Sequence, residues 1–263
     1  GPTNSMRGAA FLSGLQDALV VDVGGTTTDV GEVQDGFPRL AGTSVMVADV
    51  RTNFAMPDVI SIGLGGGSIV SDNDPMSIGP ISVGNELPQK AKVFGGDTLT
   101  ATDLAVAAGR CQVGDTAPPS IVSIDKLVEI LDKMVSDQVA RARTSNKAIP
   151  VIAVGGGSVM MPSEVDGLEV ISPKHNDLAN AVGAAIAQVS GQVSRVVLLN
   201  DDIDRDTAIK EVTEEATKIA VKRHADPKSI SVLTVSDMPL SYLPGNNLLI
   251  NVTVVGNLLM EEM

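Results

Sequence analysis

Three times in this chain an apolar run stops abruptly in glycines. Ala18-Leu19-Val20-Val21-Asp22-Val23 leads into Gly24-Gly25-Thr26-Thr27-Thr28, Val59-Ile60-Ser61-Ile62 into Gly63-Leu64-Gly65-Gly66-Gly67-Ser68, and Val151-Ile152-Ala153-Val154 into Gly155-Gly156-Gly157-Ser158. Short apolar runs bounded by turn residues read as strands of a largely covered sheet. Glycines at a strand end let backbone N–H groups approach an anion, because no Cβ stands in the way. The neighbouring Thr and Ser hydroxyls add donors. A single turn of this kind is ordinary punctuation; three of them direct the search for chemistry to the strand ends.

The rest of the chain supplies helices between these strands. Residues 6–15 (MRGAAFLSGL) carry small and apolar side chains at helical spacing, and Val30 to Val33 return the chain beside the first strand as a hairpin. From Gly63 to about residue 120 the chain is rich in Gly, Pro, Asp and Ser, interrupted by a short helical pattern over 102–110. Residues 121–144 predict a helix whose apolar face is Ile124, Leu127, Leu131, Met134, Val135 and Val139. A strand over 168–171 and a small-residue helix over 178–189 follow. Strands alternating with helices predict an α/β fold. Gly191-Gln192 marks a boundary between a domain at 1–190 and a small α/β appendage at 191–263. The appendage reads as strand (194–199), helix (205–224, buried stripe Ile209, Val212, Ala216, Ile219) and strands at 229–236 and 248–255.

Composition removes whole classes of function. Lys and Arg total 19 against 32 Asp and Glu, a net charge of −13, so a nucleic-acid backbone or an anionic membrane is not the expected partner. Four Phe, one Tyr and no Trp leave no material for base-stacking platforms. Cys111 stands alone, which excludes an internal disulfide and fits a reducing, cytoplasmic setting. With His175 and His224 it gives too few soft ligands for a closed zinc site. There is no Gly-Lys-Ser/Thr for a P-loop, no Gly-x-Ser-x-Gly elbow and no His-Glu-x-x-His helix, and Ser68 spoils the sixth position of a dinucleotide fingerprint. No apolar stretch is long enough to span a bilayer, and none follows a basic leader.

Asp22 is the sharpest single residue, since an ionised carboxylate inside an apolar strand is costly unless paired. It either holds a phosphate-bound Mg²⁺ through water, or accepts hydrogen bonds from the following Thr hydroxyls and N–H groups; the adjacent Gly-Gly-Thr turn favours the first role. Arg51 and Asp58 read as ion-paired loop residues, His175 as a histidine near a helix start, and Cys111 as a packing residue. Asp29 orients the threonine turn or caps the hairpin.

The order of these pieces resembles the second lobe of the actin, sugar-kinase and heat-shock-chaperone ATPase superfamily. There a small-residue helix, here Met6 to Leu15, precedes a strand of the form Asp-x-Gly-Gly-Thr, here Asp22 to Thr26. Val151 to Ser158 resembles the strand and Gly-Gly turn that contacts adenosine, and Ala179 to Ala187 the helix packed between lobes. The implied fold is an α/β, actin-like ATPase (ribonuclease H-like) lobe. Ile62 to Ser68, Gly79-Pro80-Ile81-Ser82-Val83-Gly84, Thr100-Ala101-Thr102-Asp103-Leu104, Ile152 to Ser158 and Tyr242-Leu243-Pro244-Gly245-Asn246 narrow the resemblance to the hydantoinase/oxoprolinase family, A-type subunit.

That resemblance implies an ATP-dependent hydrolase of cyclic amides, in which the γ-phosphate passes to an amide or enolate oxygen; the related acetone carboxylases use the same kind of subunit. By position, Asp22 would hold Mg²⁺. The backbone of Gly24, Gly25 and Thr26, with the Thr26 and Thr27 hydroxyls, would hold the β- and γ-phosphates of ATP. Gly155, Gly156, Gly157 and Ser158 would border the adenosine and α-phosphate. Gly65 to Ser68 would either line the substrate side of the cleft or face a partner. Gly1 to Ser5 resembles the family's interlobe segment, so the chain is expected to be the second half of an A subunit, inactive alone. Its expected partners are the first lobe, a B-type subunit and a small cyclic amide. A non-enzymatic actin-like nucleotide-binding or scaffold module and an acetone-carboxylase-type subunit are the alternatives.

Overall fold

A computed structural model of the chain describes residues 1–41, 45–47, 50–52, 56–114, 117–145, 147–200, 203–241 and 243–259, with 45–47 and 50–52 described as backbone. Tyr242 and the Arg51 side chain therefore lie outside the described residues. The chain forms two compact units, Gly1–Ala185 and Ile186–Met263.

The first unit opens with helix α1 (Pro2–Ser13). Pro2 sits in its first turn, where a missing N–H costs nothing. Gly14 ends it in the left-handed region at φ 72°, its N–H donating to Ala10 O. Strands β1 (Ala18–Val23) and β2 (Thr28–Gln34) form the expected antiparallel hairpin, with Asp22 opposite Asp29 and Val23 opposite Thr28. Short strands β3 (Phe37–Pro38), β4 (Val45–Val47) and β5 (Val50–Thr52) follow, and then β6 (Val59–Ile62), which pairs with β2.

The segment read as glycine- and proline-rich loop is more ordered than its composition suggests. It contains a hairpin of β7 (Ser68–Ser71) and β8 (Ser77–Ser82), a one-turn helix α2 (Leu87–Lys90) and α3 (Ala101–Ala107). Gly79 and Pro80 sit within β8 and break the apolar alternation that would have announced it. In α3 the Thr100-Ala101-Thr102-Asp103 segment is a capping box. The Thr100 side chain accepts from Asp103 N, and the Asp103 carboxylate accepts Thr100 N at 2.7 Å.

Helix α4 (Ile124–Ala142) buries Leu127, Leu131, Val135 and Val139 as its periodicity predicts. Strand β9 (Val151–Val154) runs parallel to β1, and β10 (Glu164–Val165) and β11 (Leu168–Ile171) extend the sheet to the order β10-β11-β9-β1-β2-β3. One face carries Leu19, Val21, Val23 and α4; the other carries Val20, Ile152 and Val154 against α1 and α5 (Ala179–Ala185). The helix predicted to reach residue 189 stops at Ala185, because Val189 onward joins a ten-residue strand whose ladder outweighs a weak local helix preference.

In the second unit β12 (Val189–Leu198), β13 (Ser231–Pro239) and β14 (Asn247–Gly256) form a three-stranded antiparallel sheet, order β12-β14-β13, and α6 (Arg205–Lys222) packs against it. The buried stripe of α6 is Ala208, Val212, Ala216 and Ala220, while the expected Ile209 and Ile219 are only half-buried. Gly191 explains the small residues: a Cβ there would run into Ala216 O, so helix and strand meet at backbone distance.

Candidate nucleotide site

The first and third glycine turns meet at one edge of the sheet. Because β1 and β9 are parallel neighbours, with Asp22 beside Val154, both chains leave the sheet at their carboxyl ends, where open α/β sheets bind ligands. The two turns are joined directly: Gly157 N–H donates to Val23 O at 2.8 Å. A Cβ on Gly157 would sit 2.7 Å from Gly24 O, so glycine is required for that approach.

At the hairpin tip Gly24 N–H closes the turn on Thr27 O at 2.9 Å, and Gly25, Thr26 and Thr27 are exposed. Among the described residues nothing accepts the N–H groups of Gly25, Thr26 or Thr27, so three donors and two hydroxyls stand open at one point. Thr28 turns inward instead, its buried hydroxyl donating to Leu64 O at 2.6 Å.

The second glycine turn lies beneath the first. Leu64 to Ser68 are all buried. Gly66 N–H donates to Gly24 O at 3.0 Å and Gly67 N–H to Gly25 O at 2.7 Å, so the loop grips the carbonyls of the tip and turns its N–H groups outward. Thr102, from the capping segment of α3, holds the loop in turn, its N–H and hydroxyl both donating to Gly66 O. Ser82 donates to Gly25 O at 3.2 Å and accepts Gly84 N–H at 3.0 Å, bringing the Gly79 to Gly84 segment against the tip. Gly65 to Ser68 thus neither lines an open cleft nor faces outward; it is the foundation of the turn.

In the third turn the residues divide. Gly155 adopts φ 86°, and Gly156 is exposed with nothing within 4 Å of a Cβ placed on it. Ser158 is buried and accepts Asn176 Nδ2 at 3.0 Å, so its hydroxyl braces the loop rather than standing open, and Gly155 N–H donates to Asn176 O. Asn176 carried no signal in the sequence, being one polar residue in a loop. His175 before it takes a left-handed φ of 63° at the start of a one-turn 3-10 helix.

Asp22 sits half-buried at the end of β1. Desolvation pushes its carboxyl above the usual range, hydrogen bonding from Ser5 opposes this, and the negative charge of Asp29 adds to the rise. The threonine hydroxyls do not satisfy it. Asp29 neither orients the tip nor caps it; it lies inside β2 and receives the Ser61 hydroxyl from β6. Among the described residues no group of three His, Cys, Asp or Glu is placed to hold a metal ion, so Asp22 offers a single carboxylate. One carboxylate suits a hard cation completed by water and phosphate oxygens, and Gly155 brings the third turn against it, since a Cβ there would fall 2.5 Å from Asp22 Oδ1.

Other candidates fall outside this cluster. Asp58 pairs with Arg39 at 3.0 Å. Cys111 is half-buried against the core, where burial raises its thiol pKa. A groove of about 560 Å³ between α4 and β10, lined by Asp125, Glu129, Asp132, Glu164 and Asp166, shares no residue with the glycine turns. No helix among the described residues is long and apolar enough to cross a membrane.

This sheet places a hairpin and a neighbouring parallel strand that ends in glycine side by side, in an α/β fold shared with a solved carboxylase structure. Residues 1–118 match the family model described as hydantoinase/oxoprolinase. Over 115 residues the chain is 30% identical to the acetophenone carboxylase gamma subunit of Aromatoleum aromaticum, a match covering 41% of this chain and 16% of that subunit. The nucleotide-free structure of acetone carboxylase shares its fold at a TM-score of 0.64 and 14% identity, over 97% of this chain and 48% of that one. An archaeal actin homologue aligns more weakly, at a TM-score of 0.36 and 15% identity over 70% of this chain and 52% of that one. The chain therefore spans about half the length of the carboxylase chain it resembles, and its match spans a sixth of the gamma subunit.

Proposed function

We propose that this chain is the nucleotide-binding part of an ATP-dependent enzyme subunit of the hydantoinase/oxoprolinase type. The observation that carries this is the exposed tip of Gly25, Thr26 and Thr27, whose N–H groups point away from any protein acceptor while Gly66 and Gly67 hold its carbonyls from below. A turn built this way presents positive dipole ends outward and needs no reorganisation to receive an anion. The Thr26 and Thr27 hydroxyls add donors for the terminal phosphates. Gly156, bare and exposed, leaves a face against which the nucleoside can lie. Asp22 would hold Mg²⁺ through water on the phosphate side. When bound, Mg²⁺-ATP supplies a phosphoryl group able to activate an otherwise unreactive carbonyl or enolate oxygen.

The substrate class that the family suggests is a cyclic amide, with a first lobe and a B-type subunit completing the enzyme. A second reading, a subunit of a ketone carboxylase that activates an enolate, draws support from the two carboxylases among the relatives. The test is calorimetric titration of the chain with ATP, with and without Mg²⁺. We expect weak binding that strengthens with Mg²⁺ and no turnover. Absence of binding at millimolar ATP would remove the proposal for this chain.

A further inference from the structure

The open donors at the hairpin tip are backed by hydrogen bonds that run through the peptide planes beneath them. A trans peptide is planar, and its C=O and the following N–H point in opposite directions. A bond accepted by the carbonyl therefore polarises the amide on the far side. Neither Gly24 to Thr28 nor Gly65 to Ser68 contains a cis peptide. The Gly24 carbonyl accepts Gly66 N–H at 3.0 Å, and the Gly25 carbonyl accepts Gly67 N–H at 2.7 Å. The far sides of these two peptides are the N–H groups of Gly25 and Thr26, which have no acceptor among the described residues.

The two lines have different sources. Behind Gly25, the Gly65 carbonyl accepts Ser68 N–H at 2.9 Å and the Gly67 carbonyl accepts Val83 N–H at 2.9 Å, so that line is backbone throughout. Behind Thr26, the Gly66 carbonyl accepts the Thr102 N–H at 3.0 Å and the Thr102 hydroxyl at 2.9 Å. The Gly25 carbonyl also accepts the Ser82 hydroxyl directly, at 3.2 Å. A carbonyl has no proton to give, and the Ser82 oxygen already accepts Gly84 N–H at 3.0 Å, so both hydroxyl protons run toward the tip. Two hydroxyls from separate elements, α3 and the end of β8, thus converge on the single peptide Gly25–Thr26. Gly65 meets that peptide at backbone distance, since a Cβ there would fall 2.4 Å from Thr26 N.

We propose that Thr102 and Ser82 are positioning residues that fix and polarise the Gly25–Thr26 peptide, sharpening Thr26 N–H as a donor to a terminal phosphate of ATP, both acting through the backbone. This rests on the nucleotide site proposed above. Each bond in such a line strengthens the next by about 10–30%, and on a bond to a charged oxygen the upper part of that range corresponds to about two- to fourfold in affinity. The surrounding loop, Leu64 to Ser68, is buried, so water does not screen the effect.

The experiment pairs ¹⁵N–¹H correlation spectra with calorimetric titration by ATP in the presence of Mg²⁺, on the full chain, for wild type, Thr102→Val, Thr102→Ser and Ser82→Ala. Thr102→Val keeps the branched shape and the backbone bond to Gly66 O. Ser82 is only half-buried, so Ser82→Ala carries the test even if Thr102→Val does not fold. Losing or weakening a bond to the Gly25 carbonyl lowers the double-bond character of that peptide. The Thr26 nitrogen resonance should therefore move upfield in Thr102→Val and Ser82→Ala, while that of Gly25, backed by the backbone line, stays in place. Thr102→Ser keeps the hydroxyl and should restore the wild-type position. ATP affinity should fall about two- to fourfold in Thr102→Val and Ser82→Ala and recover in Thr102→Ser. An unmoved Thr26 resonance, equal movement of Gly25 and Thr26, or unchanged ATP affinity in both variants would each overturn the role of the hydroxyls while leaving the nucleotide site standing. A wild-type chain in which ATP shifts neither amide would overturn the nucleotide site and this role together.

Discussion

Gly65 and Gly156 belong to two identical tetrapeptides, Gly65-Gly66-Gly67-Ser68 and Gly155-Gly156-Gly157-Ser158, yet alanine should act oppositely at the two. A Cβ on Gly65 would lie 2.6 Å from Gly25 C and 2.8 Å from Gly24 O, and no flexible side chain is there to yield. Overpacking of that kind costs about 1–3 kcal/mol. Relief requires the loop to withdraw from the tip, loosening the Gly66–Gly24 and Gly67–Gly25 hydrogen bonds at about 0.5–1.5 kcal/mol each. Gly65→Ala should therefore destabilise the first unit by roughly 2–6 kcal/mol, a fall of about 1–2 M in its urea midpoint. Mg²⁺-ATP binding should fall with it, since the tip loses its support. Gly156→Ala meets nothing within 4 Å and should change stability by less than about 0.5 kcal/mol, while its methyl enters the space assigned to the nucleoside and weakens binding. Urea unfolding followed by circular dichroism, with ATP titration of both variants, separates these effects. Equal midpoints for the two variants, or a larger loss of stability at Gly156, would refute the claim that one glycine turn is foundation and the other is face.

Two further outcomes follow from single groups. Burial raises the Asp22 carboxyl pKa above its unfolded value, so the folded state binds that proton more tightly and loses stability as pH climbs from the ordinary carboxylate range through the raised value. Asp22→Asn removes the charge and keeps the side chain's shape. It should melt higher than wild type at pH 7, with the gap closing below about pH 4 as wild type protonates, and should lose the Mg²⁺-dependent part of nucleotide binding. A lower melting temperature at pH 7 would contradict this. Thr28→Val keeps the shape but leaves Leu64 O without the buried hydroxyl that now donates to it at 2.6 Å; a loss of about 1–3 kcal/mol in urea unfolding is expected, and an unchanged midpoint would show that the carbonyl finds another donor.

What the sequence reveals and what it hides divide along one physical line. Local signals were sufficient for the β1–β2 hairpin, for α4 and for the two strands that end in glycine, because each is set by its own periodicity and turn residues. The role of Gly65 to Ser68 was not legible. Three glycines before a serine describe what a backbone can do, and only the pairing of β6 with β2 decides that this loop passes under Gly24 and Gly25 instead of lying open like Gly156. The hairpin of β7 and β8 was hidden for a related reason: Gly79 and Pro80 serve close packing against Gly63, where a Cβ would fall 2.8 Å from Pro80 Cβ, and so erase the alternation that marks a strand. Ser5 and Asn180 lie 175 positions apart and are small polar residues in helices, where local preference says little about either. They meet only because Gly8 and Gly183 let α1 and α5 touch. Backbone capacity can thus be read residue by residue, whereas the assignment of one glycine turn to support and another to contact belongs to the register of the sheet and the crossing of two helices.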